Sequence, residues 1–312
     1  MTTLQRLREY REHPNISQTE LKSLLAGKHK KFKPSLATLI GGYLDAVLLT
    51  PEIVDDLYII SDISRPTDKI IDLCQSLYEW MSYGFIYDEE IPMETDLIKY
   101  EGQIEQWIET KDYYNNRPKT RVKTFIKEAE EWWSVLVTKG EKEIITTSEQ
   151  LDNELICLRL KSDPELDWLW QGEFQKDFYW EEEGIRCKGL GDICLEDCYV
   201  DLKYTTCNSI NDWIKVCSSL NYPFQMAFYK SGLGFKKGYW LVTNKDWHQL
   251  VEVTPLMFSI GKFGYRKREV LRIDKEEISQ VKKIPGYLDG LNILNGNIPV
   301  KTIEQMYLEN LV

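Results

Sequence analysis

The sequence predicts an α/β protein in which a core of short strands sits inside a helical frame. Three observations lead there. Apolar residues recur at helical spacing through the first half of the chain; from Phe178 the spacing shortens to that of strands; and helical spacing returns at Ile210 to Ser219 and Tyr222 to Lys230, between two sets of strands. Strands flanked by helices on both sides are expected to bury a sheet between helical layers. With 43% hydrophobic residues, ten Trp and eighteen Tyr, the chain has ample material for such a core. It shows no internal repeat, low-complexity tract or Pro/Gly/Ser linker, so the expectation is one domain over 1–312, with a core at about 170–255, a helical part at 1–165 and a C-terminal extension at 256–312.

The elements follow in order. Ser17 and Glu20 form a capping-box pattern that should open a helix running to about Leu25. Ser35 to Glu52, SLATLIGGYLDAVLLTPE, reads as a second helix that carries Asp45 among leucines and ends at Pro51. Thr67 to Ala129 reads as helices, as does Ser148 to Leu160. FYW, GIRCKG, GDICLE and CYVDLKY then read as successive short strands divided by glycine or acidic turns. After the two later helices, GYWLVTN and LVEVTPLMF read as strands.

Charge and composition exclude several classes. With 39 basic against 50 acidic residues the net charge is −11, which argues against nonspecific coating of nucleic acid but leaves room for a local basic groove. The densest basic runs are GKHKKFK, with Lys30 and Lys31, and KFGYRKR, each read first as a solvated face. No run of about 18 apolar residues occurs, and the charged N-terminus lacks a signal-peptide core, so a cytoplasmic protein without a membrane segment is expected. Seven scattered cysteines suit reduced thiols. Cys187, Cys194, Cys198 and Cys207 cluster but lack the paired CxxC that zinc sites favour, so they read as small hydrophobes. Three histidines in no motif give nucleophilic triads little support, and no phosphate-binding glycine loop is present.

The segment Gly191 to Thr206, GDICLEDCYVDLKYTT, is different. A strand-like apolar stretch carries Asp192, Asp201 and Lys203, and buried charge is costly unless paired or bound to metal. Asp201 and Lys203 are two apart and share a face, with Val200 and Leu202 on the other. A turn at Leu195 to Cys198 would bring Asp192 beside Asp201 on a neighbouring strand. Two carboxylates and an ammonium at one point are what phosphodiester hydrolysis requires: carboxylates to hold Mg²⁺, with the Leu202 carbonyl as a further ligand, and a cation for the charge that develops. A surface hairpin with a salt bridge is the alternative.

The pattern G-D…D-L-K followed by Gln225 and Tyr229 in YPFQMAFY resembles the PD-(D/E)XK nuclease superfamily, and within it the RecB-type nucleases with their helical Q-x-x-x-Y motif. The likeness is strongest to phage and prophage exonuclease VIII (RecE)-like exonucleases, with a distant likeness to lambda exonuclease. ISQTELKSL, GGYLDAVLLTPE and FYWEEEGIRCKGLGD extend it over roughly residues 15 to 230. The resemblance implies a restriction-endonuclease-like core, a central mixed β-sheet flanked by helices. It implies that Asp192 and Asp201 bind catalytic Mg²⁺ or Mn²⁺, two ions in all, and that Lys203 positions the water or stabilises the transition state. Asp45 stands where relatives often have histidine and is expected as a further metal ligand. Gln225 would orient the site, Glu173 would match an upstream acidic residue, and Tyr229, Thr205 and Thr206 would meet DNA; the charge of the GKHKKFK run, not the resemblance, adds Lys30 and Lys31 as DNA contacts. Lys203 is followed by Tyr204 where relatives commonly have two threonines directly, which weakens the threonine assignment. No cysteine follows Cys217, so no iron–sulfur cluster is expected.

The function so implied is a metal-dependent exonuclease acting 5′→3′ on double-stranded DNA ends, yielding single strands for recombination. A ring-shaped trimer or tetramer, a single-strand annealing partner and a phage or prophage origin in a bacterial host belong to the same expectation. The alternatives are a Cas4-like or restriction-type nuclease, and a catalytically silent DNA-binding or scaffold relative.

Overall fold

The structure, a computed structural model, describes residues 1–25, 35–86, 94–110, 118–217, 220–263 and 286–295. They group into two compact units: Met1–Ile53 with the chain from Leu155 onward, and Val54–Glu154. The return boundary at Leu155 falls inside a continuous helix, so no shift of composition marks it in the sequence.

The first unit opens with α1 (Thr3–Glu12), where Thr2 and Gln5 form a reciprocal capping box. The Lys188 ammonium closes its other end by donating to the carbonyls of Tyr10, Arg11 and His13 at 3.1, 3.1 and 2.7 Å, which supplies partners that a helix C-terminus lacks. A two-residue strand, β1 (Ile16–Ser17), precedes α2 (Gln18–Leu25). Ser17 and Glu20 bond each other's amides, so the capping box forms as the spacing predicts. Helix α3 (Leu36–Leu49) is capped by Ser35 and stops before Pro51.

The second unit comprises α4 (Val54–Leu57), β2 (Tyr58–Ser61), α5 (Asp68–Ile86), α6 (Glu101–Thr110), α7 (Pro118–Thr138) and β3 (Glu143–Thr146), then the start of α8 (Thr147–Ser162). Its core is Leu73, Leu77, Ile104, Phe125, Trp132 and Trp133, presented at helical spacing. Strands β2 and β3, unassigned in the sequence, pair in parallel from Tyr58↔Glu143 to Ser61↔Thr146.

Back in the first unit, the sheet has six strands among the described residues: β1, β4 (Glu173–Glu182), β5 (Ile185–Cys194), β6 (Cys198–Tyr204), β7 (Lys237–Thr243) and β8 (His248–Glu252). It is mixed: β4–β5, β5–β6 and β7–β8 are antiparallel, whereas β1–β5 and β6–β7 are parallel. The β6-to-β7 crossover runs through α9 (Ile210–Cys217) and α10 (Tyr222–Leu233); α11 (Pro255–Phe263) and α12 (Tyr287–Leu294) follow. The central mixed sheet flanked by helices is the architecture expected. Alternate residues of β6 serve two cores. Val200 and Leu202 join Leu44, Leu48, Ile156 and Leu160, while Tyr199 joins Phe224, Phe228, Trp213 and Trp240.

Two expected boundaries move. GIRCKG and GDICLE form one ten-residue strand, because Gly189 is where the Phe178 ring lies against the backbone. A Cβ there would come 2.2 Å from Phe178 Cζ, so the glycine marks a close approach and not a break. LVEVTPLMF is strand only to Glu252; Thr254 caps α11 and Pro255 starts it. Among the described residues no single helix is long and apolar enough to cross a membrane.

Candidate active site

The site forms where two strands part. On one edge β5 pairs with β4 along its length; on the other it pairs with β1 at Cys187 and Lys188 and with β6 only at Ile193 and Cys194. Beyond those two pairs the β5–β6 ladder stops, and the Leu202 amide donates to Asp192 Oδ2 at 2.9 Å in place of a backbone carbonyl. A side-chain carboxylate thus satisfies a buried main-chain donor and is held at the fork.

Asp201, on β6, is fully buried. Its Oδ1 accepts from Gln225 Nε2 at 3.0 Å and from the Tyr199 hydroxyl at 3.1 Å. Its Oδ2 lies 2.6 Å from Lys203 Nζ, an ion pair, yet accepts no well-directed hydrogen bond. Lys203 Nζ also reaches the Leu202 carbonyl at 3.3 Å and lies 5.2 Å from the centre of the Tyr222 ring. Asp192, Asp201, the Leu202 carbonyl, Lys203 and Gln225 are therefore brought together.

The electrostatics are crowded. Burial first, then the charges of Asp201 and Asp45, push the Asp192 carboxyl well above the ordinary carboxylate range. The carboxyl of Asp45, from α3, is pushed up to about 7 by burial and by Asp201, against the pull of Lys203. Burial alone would favour a neutral Lys203; the carboxylates of Asp201 and Asp192 outweigh it and hold the ammonium above the usual lysine range. Asp45 faces this charge cluster without a direct hydrogen bond to it among the described residues.

The sequence misassigned or missed several groups. Glu173 is exposed and paired with Lys176 at 2.6 Å. The upstream side chain that reaches Asp192 is instead Gln175, whose Nε2 lies 3.3 Å from Asp192 Oδ1. Gln175 has φ 46°, a left-handed conformation that costs a residue with a side chain about 1–2 kcal/mol. Tyr229 is expected at DNA; it packs inside the core against Phe178 and Tyr199, is 8% exposed, and its hydroxyl bonds to Gln225. Thr205 is buried as well, with its hydroxyl accepting from the Cys207 amide at 3.1 Å, while Thr206 is exposed. Lys30 and Lys31 lie outside the described residues. A second lysine comes from α2: Lys22, half-buried, donates to the Leu220 carbonyl at 3.5 Å and sits 5.7 Å from the centre of the Phe224 ring. Burial and Lys203 lower its ammonium to about 7. Tyr199 was legible in principle, two residues before Asp201 on the same face; nothing in the sequence distinguishes Gln175.

The donor set fits a divalent cation that retains water. Among the described residues no three His, Cys, Asp or Glu side chains converge into a complete cage. Mg²⁺ needs none, since it typically takes one or two carboxylates together with water and substrate phosphate. The loosely satisfied Oδ2 of Asp201, the neighbouring Asp192 and the Leu202 carbonyl offer that partial set, and positive charge would favour the ionised carboxylates that burial and mutual repulsion disfavour.

A family model described as a PDDEXK-like domain of unknown function (DUF3799) matches residues 6–243. Among solved structures, a candidate exonuclease from Eubacterium rectale is similar at 14% identity and a TM-score of 0.46, over 96% of this chain and 88% of that one. No curated protein matches the chain.

Proposed function

The chain belongs to the PDDEXK-like family (DUF3799), and from that membership and the site at the β5–β6 fork we propose that it is a divalent-metal-dependent deoxyribonuclease. The observation that carries the proposal is the Asp201–Lys203 pair, held at 2.6 Å on a central strand with Asp192 beside it. A structural salt bridge would not need a second and third carboxylate, Asp192 and Asp45, pressing on it.

Asp192, Asp201 and the Leu202 carbonyl would hold the cation. When bound, it supplies Lewis-acid charge and a more acidic water for attack on phosphorus. The remaining work falls to the chain itself. Gln225 and Tyr199 fix one oxygen of Asp201, which sets the direction of the other. Lys203, whose ammonium the carboxylates of Asp201 and Asp192 favour, would stabilise the charge that grows on the phosphoryl oxygens as the P–O bond breaks. The aromatic wall of Tyr222 beside its ammonium limits solvent there.

The narrower proposal is an exonuclease working 5′→3′ from double-stranded DNA ends, a RecE-like phage or prophage enzyme that uses Mg²⁺ or Mn²⁺ and supplies single strands to an annealing protein, assembled as a ring of three or four copies. The likeness of GDICLE, VDLK and YPFQMAFY to RecB-type nucleases supports it. The test is digestion of end-labelled linear duplex beside closed circular DNA, with Mg²⁺ and then with EDTA. Mg²⁺-dependent loss of the linear duplex alone is the expected result; cleavage of the circle would make the protein an endonuclease, and no digestion of either would leave the silent binding relative.

A further inference from the structure

Gln175 is not accounted for by packing alone. It sits in β4 between Phe174, which pairs with Ile193, and Lys176, which pairs with Gly191; it lies across from Asp192 and forms no ladder pair of its own. Its φ of 46° is a conformation suited to glycine or asparagine, and glutamine gains nothing locally from it. Strain of this kind persists only when the surroundings impose it. Here they do: Arg6 of α1 donates to the Gln175 carbonyl at 2.6 Å and to the Asp177 side chain, at Oδ1, at 2.7 Å, so one guanidinium holds the main chain at Gln175 and the side chain two residues on. The side chain is buried, at 8% exposure, and its amide nitrogen faces Asp192 Oδ1 at 3.3 Å. Since Oδ2 of the same carboxylate is fixed by the Leu202 amide, the two contacts together set the plane of the Asp192 carboxylate.

We propose that Gln175 is a positioning residue, held in a strained backbone by Arg6, that orients the Asp192 carboxylate for cation binding. This rests on the metal-dependent reading of the site. Groups that orient a metal-binding carboxylate typically affect metal affinity or activity by about 10–100-fold. A purely structural glutamine would show the opposite coupling, with loss of stability and unchanged metal affinity.

Two variants separate the hydrogen bond from the strain. Gln175→Gly removes both, and Gln175→Met removes the amide while keeping a side chain on the left-handed backbone. The readouts are Mn²⁺ affinity by calorimetry, Tm in EDTA, and digestion of linear duplex. Gln175→Gly is expected to bind Mn²⁺ about 10-fold or more weakly, with a Tm equal to or above that of the wild-type protein. Gln175→Met should lose similar affinity with no gain in Tm. Wild-type Mn²⁺ affinity in both variants overturns the proposal, and the nuclease reading survives if both still digest DNA. A lower Tm for Gln175→Gly overturns the strain, and Gln175→Met then decides the positioning role. A wild-type protein that binds no Mn²⁺ overturns both this proposal and the reading beneath it.

Discussion

Among the described residues each unit of the molecule holds a largely buried pair of opposite charges, Arg65–Glu149 in one and Lys203–Asp201 in the other, and the two are built on different principles. In the second unit Arg65 meets Glu149 with both arms of its guanidinium, one of them at 2.8 Å, and also donates to the Ile144 carbonyl at 2.8 Å. Glu149 further accepts from the Thr146 amide at 2.9 Å. Burial would raise the Glu149 carboxyl, but the bonds from Arg65 and Thr146 prevail and hold it below its usual range. One charge meets one charge, and the donors are satisfied. In the first unit Lys203 faces Asp201 with Asp192 and Asp45 near enough to be raised, and Asp201 Oδ2 lacks a well-directed donor. The first arrangement spends its geometry on stability; the second leaves negative charge unanswered where a cation and a phosphate would answer it.

The comparison can be broken most forcefully at Asp201. Asp201→Ala should reduce DNA digestion by about two to three orders of magnitude or more, since the proposed metal ligand and the partner of Lys203 would go together; its Mg²⁺ titration should show no saturable activity. Arg65→Ala should do the reverse. Removing one partner of a buried pair costs about 3–5 kcal/mol, so the melting transition should fall by many degrees, while digestion per folded molecule at low temperature stays near that of the wild-type protein.

The pH dependence sharpens the contrast with smaller effects. Asp45 titrates in the folded protein at about 7, above a free aspartate at about 3.9. The folded state therefore holds the extra proton, and the favourable contribution is complete below about 4 and lost as the pH rises through about 7. Metal-free protein should lose several degrees of Tm across that interval, and Asp45→Asn should flatten the curve. Glu149, with its lowered carboxyl, has the opposite sign: its contribution is present at neutral pH and lost as acid protonates it. The smallest effect is expected for Tyr229→Phe. Its hydroxyl bonds to Gln225 inside the core, so digestion should fall by less than about 10-fold with DNA affinity unchanged in a gel-shift assay.

How much of this was legible in the sequence depended on the range of the interaction. The capping box at Ser17 and Glu20, the helix over Asp45 and the face shared by Asp201 and Lys203 follow from spacing within a few residues, and the structure has each of them. The fork between β5 and β6 was approached through the turn at Leu195 to Cys198, but that the ladder ends after two pairs depends on Asp192 capturing the Leu202 amide, which no local pattern reports. Glu173 is singled out by its likeness to an upstream acidic residue of the resembled family; Gln175, which reaches Asp192, has a left-handed backbone whose carbonyl is held by Arg6, more than 160 residues away in the chain. Tyr229 was assigned to DNA from its motif, whereas its burial comes from the aromatic cluster of Phe178, Tyr199 and Phe228.

The central claim is that Lys203 is a transition-state cation in a nuclease site and not half of a structural salt bridge. It is tested most directly by the rate of linear-duplex digestion in Mg²⁺ for the wild-type protein and Lys203→Ala, measured beside their affinities for the same duplex in EDTA. The account predicts a rate lower by about two to three orders of magnitude with duplex affinity within a few-fold. A Lys203→Ala protein that digests the duplex at the wild-type rate would contradict it, and would make the pair at the fork the counterpart of Arg65 and Glu149.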